Sequence, residues 1–166
     1  MKERRIIAAI CRNNEIGING NMIFWIKPDL IRFRTLTLGN IVIMGRKTYE
    51  AIGSHPLPKR NNIVITSKNI DTHHENLWCV HTIDEAFELA ETLEGDKIYV
   101  IGGAQIYKET IDKVDYLDIT HIESSYGRAD AYFPDIHMKY WDQISQSDIM
   151  YDDGTPFSFV TYKRIK

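Results

Sequence analysis

The chain has 166 residues, 43% hydrophobic and 26% charged, with 10 Gly and 5 Pro; this is the composition of one folded globular domain and excludes a fibrous or disordered chain. With 20 Lys and Arg against 23 Asp and Glu, the formal net charge is -3, so no general positive field gathers a nucleic acid or an anionic membrane. Cys11 and Cys79 lie far apart and outside any C-x-x-C pair, which argues against a disulfide framework or a four-cysteine zinc site.

The basic start Met1-Lys2-Glu3-Arg4-Arg5 leads into Ile6-Ile7-Ala8-Ala9-Ile10-Cys11, apolar throughout. That run is too short for a signal-peptide core or for the ~20 apolar residues of a membrane helix, and it fits a strand buried on both faces. A cytoplasmic protein is expected. Ile16-Gly17-Ile18-Asn19-Gly20-Asn21 mixes apolar side chains with residues that tolerate positive φ, which predicts a mobile, partly packed loop of the kind that covers sites. Pro28 can open a helix, with Asp29 in its first turn and Leu30, Phe33, Leu36 and Thr37 at helical spacing up to Gly39. Ile41-Val42-Ile43-Met44 predicts a second buried strand, running through Gly45 into a short helical segment from Arg46 to Ile52, and Ile63-Val64-Ile65-Thr66 a third.

Leu77 to Val80 reads as a strand, and Thr82-x-x-Glu85 is a capping box ahead of Ile83, Ala86, Phe87, Ala90 and Leu93 at helical spacing. Ile98-Tyr99-Val100-Ile101 predicts another strand, Gly102-Gly103 a turn, and Ala104 to Thr110 a helix. Tyr116 to Ile122 follows as a strand, then Trp141 to Ile149 and Phe157 to Tyr162 as two strands joined around Asp152-Asp153-Gly154. The alternation predicts an α/β fold of three layers in a single domain over 1–166. A mostly parallel central sheet with an antiparallel C-terminal edge is flanked by about four helices, and ligands belong at the carboxyl ends of the parallel strands.

Three segments carry chemistry. Met44-Gly45-Arg46-Lys47-Thr48 sets two cations and a hydroxyl at a strand-to-helix junction, where free backbone N–H groups and guanidinium forks suit a phosphate; a merely solvated basic helix start fits the motif equally well. Ile101-Gly102-Gly103-Ala104-Gln105-Ile106-Tyr107 repeats that junction with glycines that admit close backbone approach, although a tight turn alone accounts for Gly-Gly and the GxGxxG fingerprint is absent. Asp29 stands among Met22, Ile23, Phe24, Trp25, Ile26, Leu30, Ile31 and Phe33. Pointing inward, it would have a perturbed proton affinity and need a partner such as a ligand amino group; pointing to water, it would be an ordinary first-turn acid. Asp71-Thr72-His73-His74-Glu75 lacks helical metal-ligand spacing, and Cys79 and His81 have no accompanying ligand pair, so no metal is expected.

Taken in order, Ile7-Ala8-Ala9, Ile16-Gly17, Asp29-Leu30 with Phe33, Val42-Ile43-Met44-Gly45-Arg46-Lys47-Thr48-Tyr49-Glu50, Pro56-Leu57-Pro58 with Arg60-Asn61-Asn62-Ile63, Val100-Ile101-Gly102-Gly103-Ala104-Gln105-Ile106-Tyr107, Thr120-His121-Ile122 and Tyr132-Phe133-Pro134 resemble the dihydrofolate reductase family over essentially the whole chain. The resemblance implies NADPH-dependent reduction of 7,8-dihydrofolate to 5,6,7,8-tetrahydrofolate in one-carbon metabolism, antifolate inhibitors as further ligands, and a monomer. It implies that Asp29, with Thr120, holds the pterin ring, that Ile7, Met22, Leu30, Phe33, Leu57 and Ile101 wall the pocket with Ala8 also binding substrate, and that Arg60 pairs with the glutamate tail. Asp29, Met22 and Thr120 are thereby the expected catalytic set.

For NADPH, the resemblance implies a site formed by Ala9, Ile16, Gly45, Thr66, Ile101, Ala104, Gln105 and Ile106. Gly102, Gly103 and Tyr107 would line the nicotinamide side, and Arg46, Lys47, Thr48, Ser67 and Lys68 would serve the phosphates. The chain departs from the family where Phe24, followed by Trp25, occupies the usual tryptophan position, and at Ser54-His55 and Gly127-Arg128-Ala129-Asp130. Two rivals share part of this pattern: a related pterin or pyrimidine reductase, against which Asp29, Phe33 and Arg60 argue, and a catalytically silent folate- or nucleotide-binding module.

Overall fold

The segments that read as apolar throughout are those the fold buries on both faces. A computed structural model describes residues 1–165. Its elements are β1 (Glu3–Ile10), β2 (Glu15–Ile18), β3 (Asn21–Met22), α1 (Lys27–Thr37), β4 (Ile41–Gly45), α2 (Arg46–Ala51), β5 (Asn61–Ile65), β6 (Leu77–Val80), α3 (Ile83–Thr92), β7 (Lys97–Val100), α4 (Ala104–Thr110), β8 (Tyr116–Ile122), β9 (Ala131–Tyr132), β10 (Trp141–Gln146), β11 (Met150–Asp152) and β12 (Thr155–Arg164). The main sheet runs β10-β12-β8-β1-β7-β4-β5-β6. From β8 to β6 every pairing is parallel. Strand β12 then closes on β8 antiparallel, and β10 and β11 both pair antiparallel with β12.

Successive residues of a strand face opposite sides, and this alternation generates the layers. Ile6, Ile41, Ile43, Ile98 and Val100 pack on one face with Ala86, Phe87 and Ala90 of α3 and with Ile106 and Tyr107 of α4. Their chain neighbours Ile7, Val42 and Tyr99 pack on the other, against Phe33 and Leu36 of α1. The helices thus lie on both faces of a largely parallel sheet. No described helix is long and apolar enough to cross a membrane.

Thr82 caps α3 as its sequence predicts, its hydroxyl accepting from the Glu85 N–H at 3.1 Å. Thr82→Ala should therefore lower stability by about 1 kcal/mol, read as a lower denaturant midpoint with unchanged slope.

Two expectations need correction. The Ile16–Asn21 segment is not an irregular loop: it forms the β2–β3 hairpin, turning at Asn19 (φ 52) and Gly20 (φ 80). Strand β2 also pairs with β9, in a second sheet of order β3-β2-β9. Asp130 fixes that pairing by accepting from the Asn19 N–H at 2.9 Å and donating its own N–H to Gly17 O at 3.0 Å. Local sequence could not reveal it, because the partner lies more than 100 residues downstream. The tail contains three strands rather than two, with β10 ending at Gln146 and a β11–β12 hairpin around Asp153 and Gly154, both at positive φ.

Candidate active site

Helix α1 delivers Asp29 in its first turn, where Pro28 loses no needed N–H, and it turns the carboxylate inward. The Thr120 hydroxyl, on β8 and 1% exposed, donates to Asp29 Oδ1 at 2.5 Å. Burial raises the Asp29 carboxyl above its ordinary range, opposed by the Thr120 hydrogen bond and by the charge of Arg32. Of the two orientations the sequence left open, the inward one is found. The buried Tyr107 donates its hydroxyl to Ile7 O at 2.8 Å. Burial, then the negative field of Asp29, pushes its pKa up, so it stays a neutral donor.

The expected pocket walls converge in part. Phe33, Leu57 and Ile101 pack against the cluster that holds Ile7, whereas Ala8, the next residue of β1, turns its side chain to the cluster on the opposite face of the sheet. Leu30 is 38% exposed and belongs to the outer rim. Arg60 is buried, with Nε donating to Pro58 O at 3.0 Å and Nη1 to Thr37 Oγ1 at 3.2 Å. A guanidinium carries five donors, so this anchoring leaves others for a carboxylate. Burial and the nearby charge of Arg34 lower its proton affinity, from a starting point so high that it stays a cation.

At the carboxyl ends of β4 and β7, backbone replaces side chains. The Gly45 N–H donates to Gly102 O at 2.9 Å, which docks the two glycine turns side by side, and the Gly102-Gly103 peptide is cis. A Cβ on Gly45 would lie 3.1 Å from Ile106, one on Gly102 3.2 Å from the Tyr107 hydroxyl, and one on Gly103 3.4 Å from the Thr48 hydroxyl. Side chains would fill this cradle. Tyr107 stands between the cradle and β1, its ring close against Gly102 and its hydroxyl bonded to Ile7 O.

Around the cradle, Arg46 opens α2 with its guanidinium bonded to both carboxylate oxygens of Glu50, at 2.7 and 2.9 Å. Lys47, Ser67, Lys68 and Gln105 are exposed, and Ala104 is half-buried. Thr66 is buried, and its hydroxyl accepts from the Lys68 N–H at 3.0 Å, shaping the turn that presents Ser67.

Met22, Ala9 and Ile16 meet across a small cavity that Cys11, Glu15, Ile23, Phe24 and Ile122 complete. Trp25 is 64% exposed, whereas Phe24 packs against Cys11, Ile26, Ile122 and Phe157, so no indole takes the inner position. Sequence reasoning missed Glu15. It is 2% exposed, and it accepts from the Asn13 and Tyr126 N–H groups at 2.6 Å each, tying the base of the hairpin to the segment ahead of β9. Burial works to raise this carboxyl, but bonds from the backbones of Tyr126, Glu15 and Asn13 prevail and hold it below its ordinary value. In the sequence it is one polar residue beside a turn, with no distinguishing signal.

The dihydrofolate reductase family profile matches residues 4–164. Among curated relatives, the type 3 dihydrofolate reductase of Salmonella typhimurium is 37% identical over 162 residues, covering 96% of each chain. The HdrB dihydrofolate reductase of Haloferax volcanii is 32% identical over 166 residues, covering 96% of this chain and 82% of its own. Among solved structures, the Enterococcus faecalis dihydrofolate reductase complexed with NADP(H) and RAB-propyl superposes with a TM-score of 0.87 at 30% identity, over 99% of this chain and 97% of that one. With the profile spanning nearly all of the sequence and the fold superposing throughout, the chain belongs to the dihydrofolate reductase family.

Proposed function

We propose that this chain performs its family's reaction, the NADPH-dependent reduction of 7,8-dihydrofolate to 5,6,7,8-tetrahydrofolate, as a single-domain cytoplasmic monomer that antifolate inhibitors also bind. The observation that carries the reading is the inward Asp29 carboxylate, held by Thr120 in a fold that also sets a glycine cradle at the carboxyl ends of β4 and β7. A carboxylate there accepts hydrogen bonds from a pterin's amino group and ring N–H, and Thr120 fixes which oxygen is offered. Its negative charge, in partly desolvated surroundings, favours the protonated form of the bound ring, the proton reaching the ring nitrogen through water rather than from Asp29 itself. Ile7, Phe33, Leu57 and Ile101 supply the apolar walls, Leu30 the rim, Met22 the cover, and Arg60 the clamp on the glutamate tail.

The cradle fits NADPH, since Gly45, Gly102 and Gly103 leave bare backbone where side chains would stand. Gly102, Gly103 and Tyr107 would border the nicotinamide, with Ala9, Ile16, Ala104, Gln105 and Ile106 around them. Arg46, Lys47, Thr48, Thr66, Ser67 and Lys68 would hold the phosphates. Bound there, NADPH supplies the hydride.

Steady-state assay tests the function: NADPH consumption should require both the protein and dihydrofolate, with NADH a poor replacement. Arg46→Ala tests cofactor choice. Arg46 with Ser67 resembles the family's 2′-phosphate contacts, so losing its guanidinium fork should lower the preference for NADPH over NADH by about 10- to 100-fold in kcat/KM. An unchanged ratio would remove Arg46 from phosphate recognition.

A further inference from the structure

We propose that Arg32 is a positioning residue of the reductase site, a fixed cation one turn along α1 from Asp29 that sets the pH range over which the bound substrate ring is reduced. The inference rests on the reading of Asp29 given above.

Arg32 follows Asp29 by three residues, a spacing that sets their Cβ atoms about 5–6 Å apart on one face of α1. Its guanidinium lies 4.4 Å over the Phe159 ring. Phe159 is the cross-strand partner of Thr120, the residue that donates to Asp29. The cation is thus stacked between the helix that carries the acid and the strand beside the acid's donor, not free to swing into water.

Arg32 also lacks a contact counter-ion. It is half-buried, and no carboxylate makes an ion pair with it among the described residues. Asp118, two residues before Thr120 on β8, is engaged by Arg5, whose Nε and Nη2 donate to its two oxygens at 2.7 and 2.9 Å. Burial disfavours the Arg32 cation, while the fields of Asp118 and Asp29 favour it. The groups around the pair are Arg5 on β1, Tyr99 on β7, Tyr107 on α4, Asp118 and Thr120 on β8, and Phe159 on β12. Burial pushes both tyrosines up, so they remain neutral. Arg5 and Asp118 compensate each other. Arg32 is left as the cation acting on Asp29 and on a ring bound to it.

The sign follows directly. A nearby cation stabilises an ionised carboxylate and opposes a proton on the bound ring. Removing it makes the site hold its proton to higher pH, so the falling alkaline limb of the rate profile moves up. For unit charges on neighbouring turns of one helix face, acting through partial solvent screening, the shift is about one pH unit.

The experiment is the single-turnover rate of dihydrofolate reduction against pH for the parent, Arg32→Met, Arg32→Lys and Asp29→Asn. Met keeps the volume over Phe159 and drops the charge, and Lys keeps the charge. The limb should rise by about one unit in Arg32→Met and stay at the parental position in Arg32→Lys. A folded Arg32→Met with a parental limb, or an equal shift in Arg32→Lys, would overturn the proposal. If Arg32→Met does not fold, Arg32→Gln is the neutral variant, judged the same way. An Asp29→Asn enzyme with parental turnover would instead overturn the underlying reading of Asp29.

Discussion

Asp29→Asn should lower turnover about 10²- to 10⁴-fold at neutral pH while leaving NADPH affinity within about twofold. Asn matches the carboxylate in size and can still accept from Thr120 through its carbonyl, so the pocket keeps its shape. It loses the negative charge that favours a protonated ring, and it offers one acceptor oxygen where two were available. The expected loss therefore falls on kcat and on kcat/KM for dihydrofolate, with the cofactor KM spared. Stability should move the other way. Burial raises the folded-state carboxyl above its unfolded value. The folded state thus binds more protons, and the stability of the parent falls as pH rises through the carboxyl range. Asn removes that cost, so the variant should melt no lower than the parent at neutral pH. Parental turnover would exclude Asp29 from the chemistry, and a large drop in melting temperature would mean that it is structural.

Gly102→Ala should lower stability by about 3 kcal/mol and weaken NADPH binding by more than tenfold. Gly102 has φ +120, a region closed to side chains, and its added Cβ would meet the Tyr107 ring at 3.2–3.3 Å. Tyr107 would have to move, breaking the 2.8 Å bond of its hydroxyl to Ile7 O and disturbing both the cradle and strand β1. Gly127→Ala is the control, since nothing lies within 4 Å of its added Cβ. Denaturant unfolding and NADPH titration of both variants decide the matter. A Gly102→Ala protein of parental stability and affinity would show that the cradle tolerates a side chain.

What the sequence revealed was whatever is written in local pattern. Helix α4 and strands β6 and β8 have the expected bounds, because apolar runs and Gly-Gly punctuation are local signals. The Thr82 cap was legible for the same reason, a hydroxyl three residues ahead of its backbone partner. The β2–β3–β9 sheet was not, because its stability comes from Asp130 and Ala131 far along the chain. Glu15 was illegible as well: a buried carboxylate satisfied by backbone N–H groups leaves no residue pattern. For the site, the family resemblance picked out Asp29, Thr120 and the two glycine turns; the fold bonds Asp29 to Thr120 and docks one glycine turn on the other. It did not foresee that Glu50 holds Arg46 or that Arg32 stacks on Phe159 beside the acid, since both depend on how side chains pack in three dimensions.

The most direct test of the central claim is a single turnover with NADPH carrying deuterium at the transferred C4 position, mixed with dihydrofolate and the purified chain, followed by mass analysis of the product. The product should be tetrahydrofolate bearing one deuterium at C6, formed only when protein, NADPH and dihydrofolate are all present. No labelled product, from protein shown to be folded and to bind NADPH, would contradict it and leave the pyrimidine reductase and the silent binding module as the readings to test next.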